Sequence, residues 1–159
     1  MKRSFPPLIN PNSRILILGT MPGEKSLACQ QYYGNKQNQF WRILYRVFQR
    51  EYSEDYETRK SLLTEFDIAL WDVLYSCERE GSLDSKIKEA KANDINELIL
   101  AYPKLKTIVF SSKNAEKFFY KYLCEKPDVE YVTLPSPSGA HASMRLQEKI
   151  EHWKIITQL

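Results

Sequence analysis

Two stretches of this 159-residue chain carry side chains suited to hydrolysis at a flat, hydrogen-bonding ligand. The first begins Gly19-Thr20-Met21-Pro22-Gly23. Glycine at both ends lets backbone approach a ligand closely, and Pro22 fixes its own φ while lacking an N–H. The other N–H groups of such a loop can hold a carbonyl oxygen or an anion. A tight structural turn accounts for the same residues equally well. Downstream comes Gln31-Tyr32-Tyr33-Gly34-Asn35-Lys36-Gln37-Asn38-Gln39-Phe40-Trp41. Paired aromatics can make a slot for a flat ring, and neutral amides can read a hydrogen-bonding edge or hold a water. Asn38 has two readings, a water-holding amide or simply the N-cap of a helix starting at Gln39. Phe40 and Trp41 also suit a core.

The elements that must position these groups follow from periodicity. Arg14-Ile15-Leu16-Ile17-Leu18-Gly19 is a short apolar run closed by glycine, hence a buried strand. Residues 67–73, 107–110 and 130–134 read as three more strands. Helical spacing of Trp41, Leu44, Val47 and Phe48 predicts a helix over 38–50, and residues 57–65 another. Ile95, Leu98 and Ile99 predict a helix that ends before Pro103. Ser111-Ser112 can cap a helix bearing Ala115, Phe118, Phe119 and Tyr122, and Ser143 can cap a last one bearing Leu146, Ile150 and Trp153. Strands alternating with helices give an α/β class, a three-layer α/β/α architecture around a central, mainly parallel four-stranded sheet. Ligands of such folds bind at the carboxyl ends of strands. The loops after the first and fourth strands, residues 19–23 and 135–139, are therefore the informative ones.

With 43% apolar and 27% charged residues the chain is globular, and residues 1–159 are expected to form a single domain. No apolar run approaches the ~20 residues that span a bilayer, so no membrane partner is expected. The start, Met1-Lys2-Arg3-Ser4-Phe5, has basic residues without the apolar region of a signal peptide. Cys29, Cys77 and Cys124 are odd in number and widely spaced, which argues against a disulfide framework or a metal site. Reduced thiols suggest a cytoplasmic protein, each read as a small buried hydrophobe. A net charge of +3 permits a nucleic-acid partner without requiring one.

Taken in order, three blocks resemble a known family. Gly19-Thr20-Met21-Pro22-Gly23, Ser26-Leu27, Tyr32-Tyr33-Gly34 and Asn38-Gln39-Phe40-Trp41 together resemble the first motif region of the uracil-DNA glycosylase superfamily. Leu134-Pro135-Ser136-Pro137-Ser138-Gly139-Ala140-His141-Ala142 resembles its second motif. Ile68-Ala69-Leu70-Trp71-Asp72-Val73 with Cys77-Glu78-Arg79-Glu80-Gly81-Ser82-Leu83-Asp84 is similar to the DNA-deoxyinosine (hypoxanthine-DNA) glycosylase branch. The likeness covers roughly residues 14–152. Mismatch-specific members carry a water-activating Asn at the third position of the first motif, where this chain has Met21. The hypoxanthine-type branch is instead thought to use an Asn ahead of the Phe-Trp pair, here Asn38. By the same matching, Tyr33 holds the position of the aromatic that stacks on the extruded base. Two departures stand out. Asn35-Lys36 replaces a His-Pro common in relatives, and a Pro near Gly139 is missing. Leu134-Pro135 stands where true uracil-DNA glycosylases open their second motif with His, so His141 inherits no catalytic-acid role.

The resemblance implies a monofunctional DNA N-glycosylase, which hydrolyses the bond to a deaminated base at the first step of base excision repair. Hypoxanthine is the expected base, with uracil and xanthine as further candidates. Damaged double-stranded DNA is the expected partner, single-stranded DNA a second one; the chain is expected to be a monomer with no cofactor and no metal. Asn38 would orient water toward C1′. Tyr33, with Phe40, would stack on the base, and N–H groups near Met21 and Gly23 would hold its exocyclic oxygen. No lysine nucleophile is required, so no lyase activity is expected. Pro135, Ser136, Pro137, Ser138, Gly139 and His141 would form a DNA-binding loop, its hydroxyls and N–H groups meeting phosphate. His141 is equally well an exposed residue near a helix cap. Arg42, Arg46 and Arg50, spaced i, i+4, i+8, either track a phosphate backbone or form a solvated face. Asp72 and Asp84 read as buried polar anchors more readily than as catalytic groups. Two rival readings remain: an inactive DNA-binding module of the same fold, and a hydrolase of free nucleosides.

Overall fold

The computed structural model describes residues 1–159. In chain order the strands are β1 (Lys2–Arg3), β2 (Ile15–Gly19), β3 (Ile68–Asp72), β4 (Leu74–Glu78), β5 (Lys88–Ala92), β6 (Thr107–Phe110) and β7 (Glu130–Thr133). The helices are α1 (Glu24–Cys29), α2 (Phe40–Val47), α3 (Tyr56–Glu65), α4 (Ile95–Ala101), α5 (Lys113–Tyr122) and α6 (Leu146–Trp153). The four apolar runs pair as one parallel sheet in the order β3-β2-β6-β7, with Ile15 opposite both Ile68 and Thr107. β2 sits in the interior, and all five of its residues are buried.

Alternation along β2 divides the core in two, because successive side chains leave a strand on opposite faces. Ile15 and Ile17 join Phe40, Trp41, Leu62, Ile150 and Trp153 from α2, α3 and α6. Leu16 and Leu18 join Ile95, Ile99, Ala115 and Phe119 from α4 and α5. This is the three-layer arrangement expected from the alternating pattern. All strand ends carrying the informative loops lie on one edge, since β2, β3, β6 and β7 run the same way.

Several local expectations are corrected. The α2 helix stops at Val47 rather than Arg50, with Gln49 at a φ of 55° turning the chain away. Arg145, not Ser143, stands at the N-cap of α6. Ser112 does cap α5, accepting the Ala115 N–H at 3.0 Å. A second sheet, β1-β4-β5, is antiparallel and adds three strands to the four expected from apolar runs. Its edge strand Lys88-Glu89-Ala90-Lys91-Ala92 has no buried residue, so no apolar alternation marks it. Of the cysteines only Cys77 is buried; Cys29 and Cys124 are exposed, and no two are bonded.

Candidate active site

The β2–α1 loop and the loop after β7 face each other across a cavity of about 680 Å³. Residues 19–23 form one side, Tyr33 and Asn38 another, and residues 135–138 with His141 a third. Such a volume suits a ligand of nucleoside size. Of the residues proposed from sequence, Phe40 and Gly139 are absent from the lining. Phe40 is fully buried and stacks behind Tyr33, ring centroids 3.8 Å apart and planes 16° from parallel. It braces the aromatic wall without touching the space in front. Gly139 packs on the Gln37 carbonyl, which would lie 2.8 Å from any Cβ placed there.

The placement of Tyr33 is built from its neighbours. Its own φ is 53°, a left-handed value disfavoured for a bulky side chain. That conformation is held from both sides. The Gly34 N–H donates to Ser26 Oγ at 2.9 Å, and a Cβ at Gly34 would lie 2.5 Å from Cys29 Sγ. The Tyr32 N–H donates to the Tyr56 hydroxyl, and Trp41 Nε1 donates to the Tyr32 carbonyl at 2.9 Å. Tyr32 turns into the core, its hydroxyl on the Pro6 carbonyl. The two tyrosines therefore do not make the paired slot that their adjacency suggests; Tyr33 and Phe40 make the stack. The Tyr33 hydroxyl reaches Ser111 Oγ at 3.3 Å, and burial pushes its ionisation well above the usual range.

Asn38 is not the N-cap of α2, which begins at Phe40 with Gln39 at the cap; it stands one residue earlier and lines the cavity. Its Oδ1 accepts the Phe40 N–H at 2.9 Å, which anchors the amide at the start of α2. A carboxamide oxygen has two lone pairs, so a second acceptor site and both Nδ2 hydrogens are left over. Asn35 makes the turn that leads in: its Oδ1 accepts the Gln37 N–H and its carbonyl the Asn38 N–H. In the facing loop the N–H groups of Thr20, Met21 and Gly23 have no acceptor within the protein. The Met21 side chain packs into the core beside Leu18 and Ala69, so this residue offers the cavity its backbone. Arg79, its side chain fully buried, donates from Nη2 to the Pro22 carbonyl at 2.5 Å. A trans peptide sets N–H opposite C=O, so this contact turns the Gly23 N–H away from Arg79.

Asp72 and Asp84, read from sequence chiefly as anchors, both line the cavity. Asp72 ends β3 beside Gly19, where a Cβ would sit 2.6 Å from Asp72 Oδ1 and 3.2 Å from the Tyr33 hydroxyl. Its Oδ2 is buried without a hydrogen-bond partner. Burial, with the Asp84 charge adding and Arg79 opposing, lifts the Asp72 carboxyl to about 7. Burial also raises Asp84, which stands 4.0 Å from Arg79 and accepts from Asn114. Asn114 and His152, on α5 and α6, line the cavity too and carried no sequence signal.

The loop after β7 differs from expectation in its free groups. The N–H groups of Ser138, Ala140 and His141 bond within the loop, to Ser136 Oγ, Ser138 Oγ and the Ser138 carbonyl. The serine oxygens thus shape the loop, and their O–H hydrogens remain to be donated outward. Of the arginine row, Arg50 pairs with Glu65 at 3.0 Å and Arg46 reaches Gln147. Arg42 alone adjoins the site, in a smaller hollow it shares with Asn38.

Comparison with known proteins gives consistent matches. The model of the uracil DNA glycosylase superfamily matches residues 6–157. A protein named hypoxanthine DNA glycosylase from Methanosarcina acetivorans is 37% identical over 157 residues, 98% of each chain. One of the same name from Methanosarcina barkeri is 38% identical over 141 residues, 88% of each chain. The solution NMR structure of a proposed uracil DNA glycosylase from Methanosarcina acetivorans superposes with a TM-score of 0.82 at 35% identity. It covers 99% of this chain and 97% of its own.

Proposed function

The chain belongs to the uracil DNA glycosylase superfamily and is a DNA glycosylase for deaminated bases, and from that premise we propose how its own residues do the work. The preferred base is hypoxanthine in damaged duplex DNA, and the protein acts as a monomer. The names of the two Methanosarcina relatives support the choice of base. No helix is long and apolar enough to cross a membrane.

The observation that carries the reading is the convergence of Tyr33, Asn38 and the unpaired loop N–H groups on one cavity. The target nucleotide leaves the stack at a cost of a few kcal/mol, least at a mispaired base. Tyr33, braced by Phe40, takes the base on its open face. Asn38 holds a water whose oxygen bonds to C1′ as the bond from C1′ to the base nitrogen breaks. The electron pair leaves with the base, and the water's surplus proton passes to solvent. Negative charge growing on the base is met by the N–H groups of Met21 and Gly23, as in an oxyanion hole.

Asp72 reads the rest of the edge. Hypoxanthine presents an N1–H donor beside its O6 acceptor. A neutral carboxyl matches that pair, with C=O accepting from N1–H and O–H donating to O6. An ionised Asp72 would instead oppose the charge of the departing base. Burial favours the neutral form, so this role suits the lower side of about pH 7. Adenine directs an amino group where the loop N–H donors point and is rejected by donor against donor. The DNA strand rests on residues 135–141, with the Ser136 and Ser138 hydroxyls toward phosphate.

Duplexes with a single deoxyinosine, deoxyuridine, deoxyxanthosine or deoxyoxanosine, treated with the protein and then alkali, test this reading. Deoxyinosine strands should be cut fastest. Faster cutting of another lesion would overturn the choice of base.

A further inference from the structure

Lys149 is a lysine with a single percent of its surface exposed, and it has no part in the steps proposed for base removal. It lies on α6. Its Nζ donates to Gln39 Oε1 at 2.9 Å and to the Ser138 carbonyl at 3.2 Å. No carboxylate lies within ion-pairing distance of it. A buried ammonium with only neutral partners is unfavourable for the fold, since a methionine of similar length would fill the space without desolvating a charge. Burial alone lowers its basicity. Stability therefore does not account for the residue, and its two partners suggest what does.

Those partners belong to the two halves of the site. Gln39 follows Asn38 and precedes α2. Ser138 is the centre of the loop assigned to DNA. The two segments touch at further points: the Gln39 N–H donates to the Pro137 carbonyl at 2.8 Å, and Gly139 lies against the Gln37 carbonyl. From the same helix, Trp153 Nε1 holds the Pro135 carbonyl at 2.8 Å and its ring meets Phe40 edge-on. Asn38 thus sits in a segment tied on both flanks to the DNA-facing loop, and Lys149 is the one side chain that bonds to both.

We propose that Lys149 is a positioning residue that mounts the Asn38 segment and the loop 135–141 as one unit, so that loop contact with a DNA strand sets the water-holding amide at the correct distance from C1′. The proposal rests on the glycosylase reading and concerns only how its parts are held. A displacement of about 1 Å at a reacting group can cost on the order of 100-fold in rate, so a mount of this kind has kinetic weight.

Lys149→Met and Gln39→Met, alone and together, test it by two readouts. The first is the single-turnover rate on whichever lesion duplex the wild type cuts, with affinity for undamaged duplex measured alongside. Each variant should slow cleavage about tenfold or more, by a larger factor than it weakens binding. The double variant should be no slower than the slower single one, because both remove the same bond. The second readout needs no activity: hydrogen exchange of the Gln39 amide, protected by Pro137, should accelerate about tenfold in Lys149→Met. Its melting temperature should match or exceed that of the wild type. Should Lys149→Met fail to fold, Gln39→Met carries both readouts. Rates within twofold of wild type, losses that multiply in the double variant, or unchanged Gln39 protection would overturn the mount. Absence of cleavage by the wild type on every lesion would overturn the glycosylase reading instead, and the exchange experiment would still decide the mount.

Discussion

The two walls of the cavity hold their ligand by opposite means. The wall of Tyr33, Phe40 and Asn38 is neutral and fixed by hydrogen bonds to backbone on either side. The wall of Asp72 and Asp84, with Arg79 buried beside them outside the lining, is built of ionisable side chains taken out of water, and Asp72 Oδ2 has no partner. The neutral wall has little to gain from solvent and is already organised to place a ring and a water. The charged wall brings to the cavity a carboxyl, that of Asp72, with one oxygen unpaired, which a base edge can answer. On the proposed reading one wall sets geometry and the other sets selectivity and pH response.

If that division holds, damage to the neutral wall should cost most. Asn38→Ala should lower the single-turnover rate on a deoxyinosine duplex on the order of 100-fold while leaving DNA affinity within a few fold. Equal losses in rate and affinity would assign Asn38 to binding. On the charged wall, Asp72→Ala should slow base release by about 10- to 100-fold, the worth of a hydrogen bond to a strongly polar partner. Asp72→Asn keeps a C=O and an N–H donor and should retain most activity at pH 6. The wild-type rate should fall as pH rises through about 7 and the Asn variant's should not. A falling limb shared by both would place the titration elsewhere. Tyr33→Ala should cost about 5- to 100-fold, the range for one base–aromatic stack; Tyr33→Phe, which keeps the ring, should stay within a few fold.

The same carboxyl gives a stability test independent of DNA. Folding lifts Asp72 from an ordinary value of 3.8 to about 7, so between those values the folded state holds a proton that the unfolded chain has released. Stability from this group is intact below about pH 4, declines as pH climbs and is fully lost above about 7, to a total of about 4 kcal/mol. Asp72→Asn should therefore gain in melting temperature over the wild type at pH 8 and lose that gain at pH 4. The smallest effect is expected in the outer loop, where His141→Ala should weaken duplex binding by no more than a few fold and leave the rate of bound substrate unchanged. A rate loss above tenfold would give His141 a chemical role.

The unequal legibility of the two walls follows from what a sequence can encode locally. Tyr33, Asn38 and the residues 19–23 lie close along the chain, between a strand and a helix whose periods are plain, so their convergence could be expected. The parallel sheet was equally open to reading, because β2, β3, β6 and β7 are short apolar runs separated by helical patterns. Asp72 ends one of those runs, and its role depends on which strand lies beside it: only the pairing of Asp72 with Gly19 brings its carboxyl under the cavity. Nothing in the local sequence marks Arg79 or Lys149 for burial, which only the packing of distant segments produces. Phe40, open to a reading as base platform or as core, is core, one ring behind Tyr33, a depth that spacing along a helix does not specify. The strand β5 is an exposed edge with no alternation to detect, and β4, though central and largely buried, is broken by the polar Ser76 and Glu78.

The central claim is that one extruded hypoxanthine lies between these walls with its sugar beside Asn38. A structure of Asn38→Ala bound to a duplex containing deoxyinosine tests it most directly. The account predicts the base flat against Tyr33, its O6 within hydrogen-bonding distance of the Met21 or Gly23 N–H, its N1 toward Asp72, and C1′ facing the space left by the missing amide. A base still stacked in the duplex, or one seated outside the cavity, would contradict it.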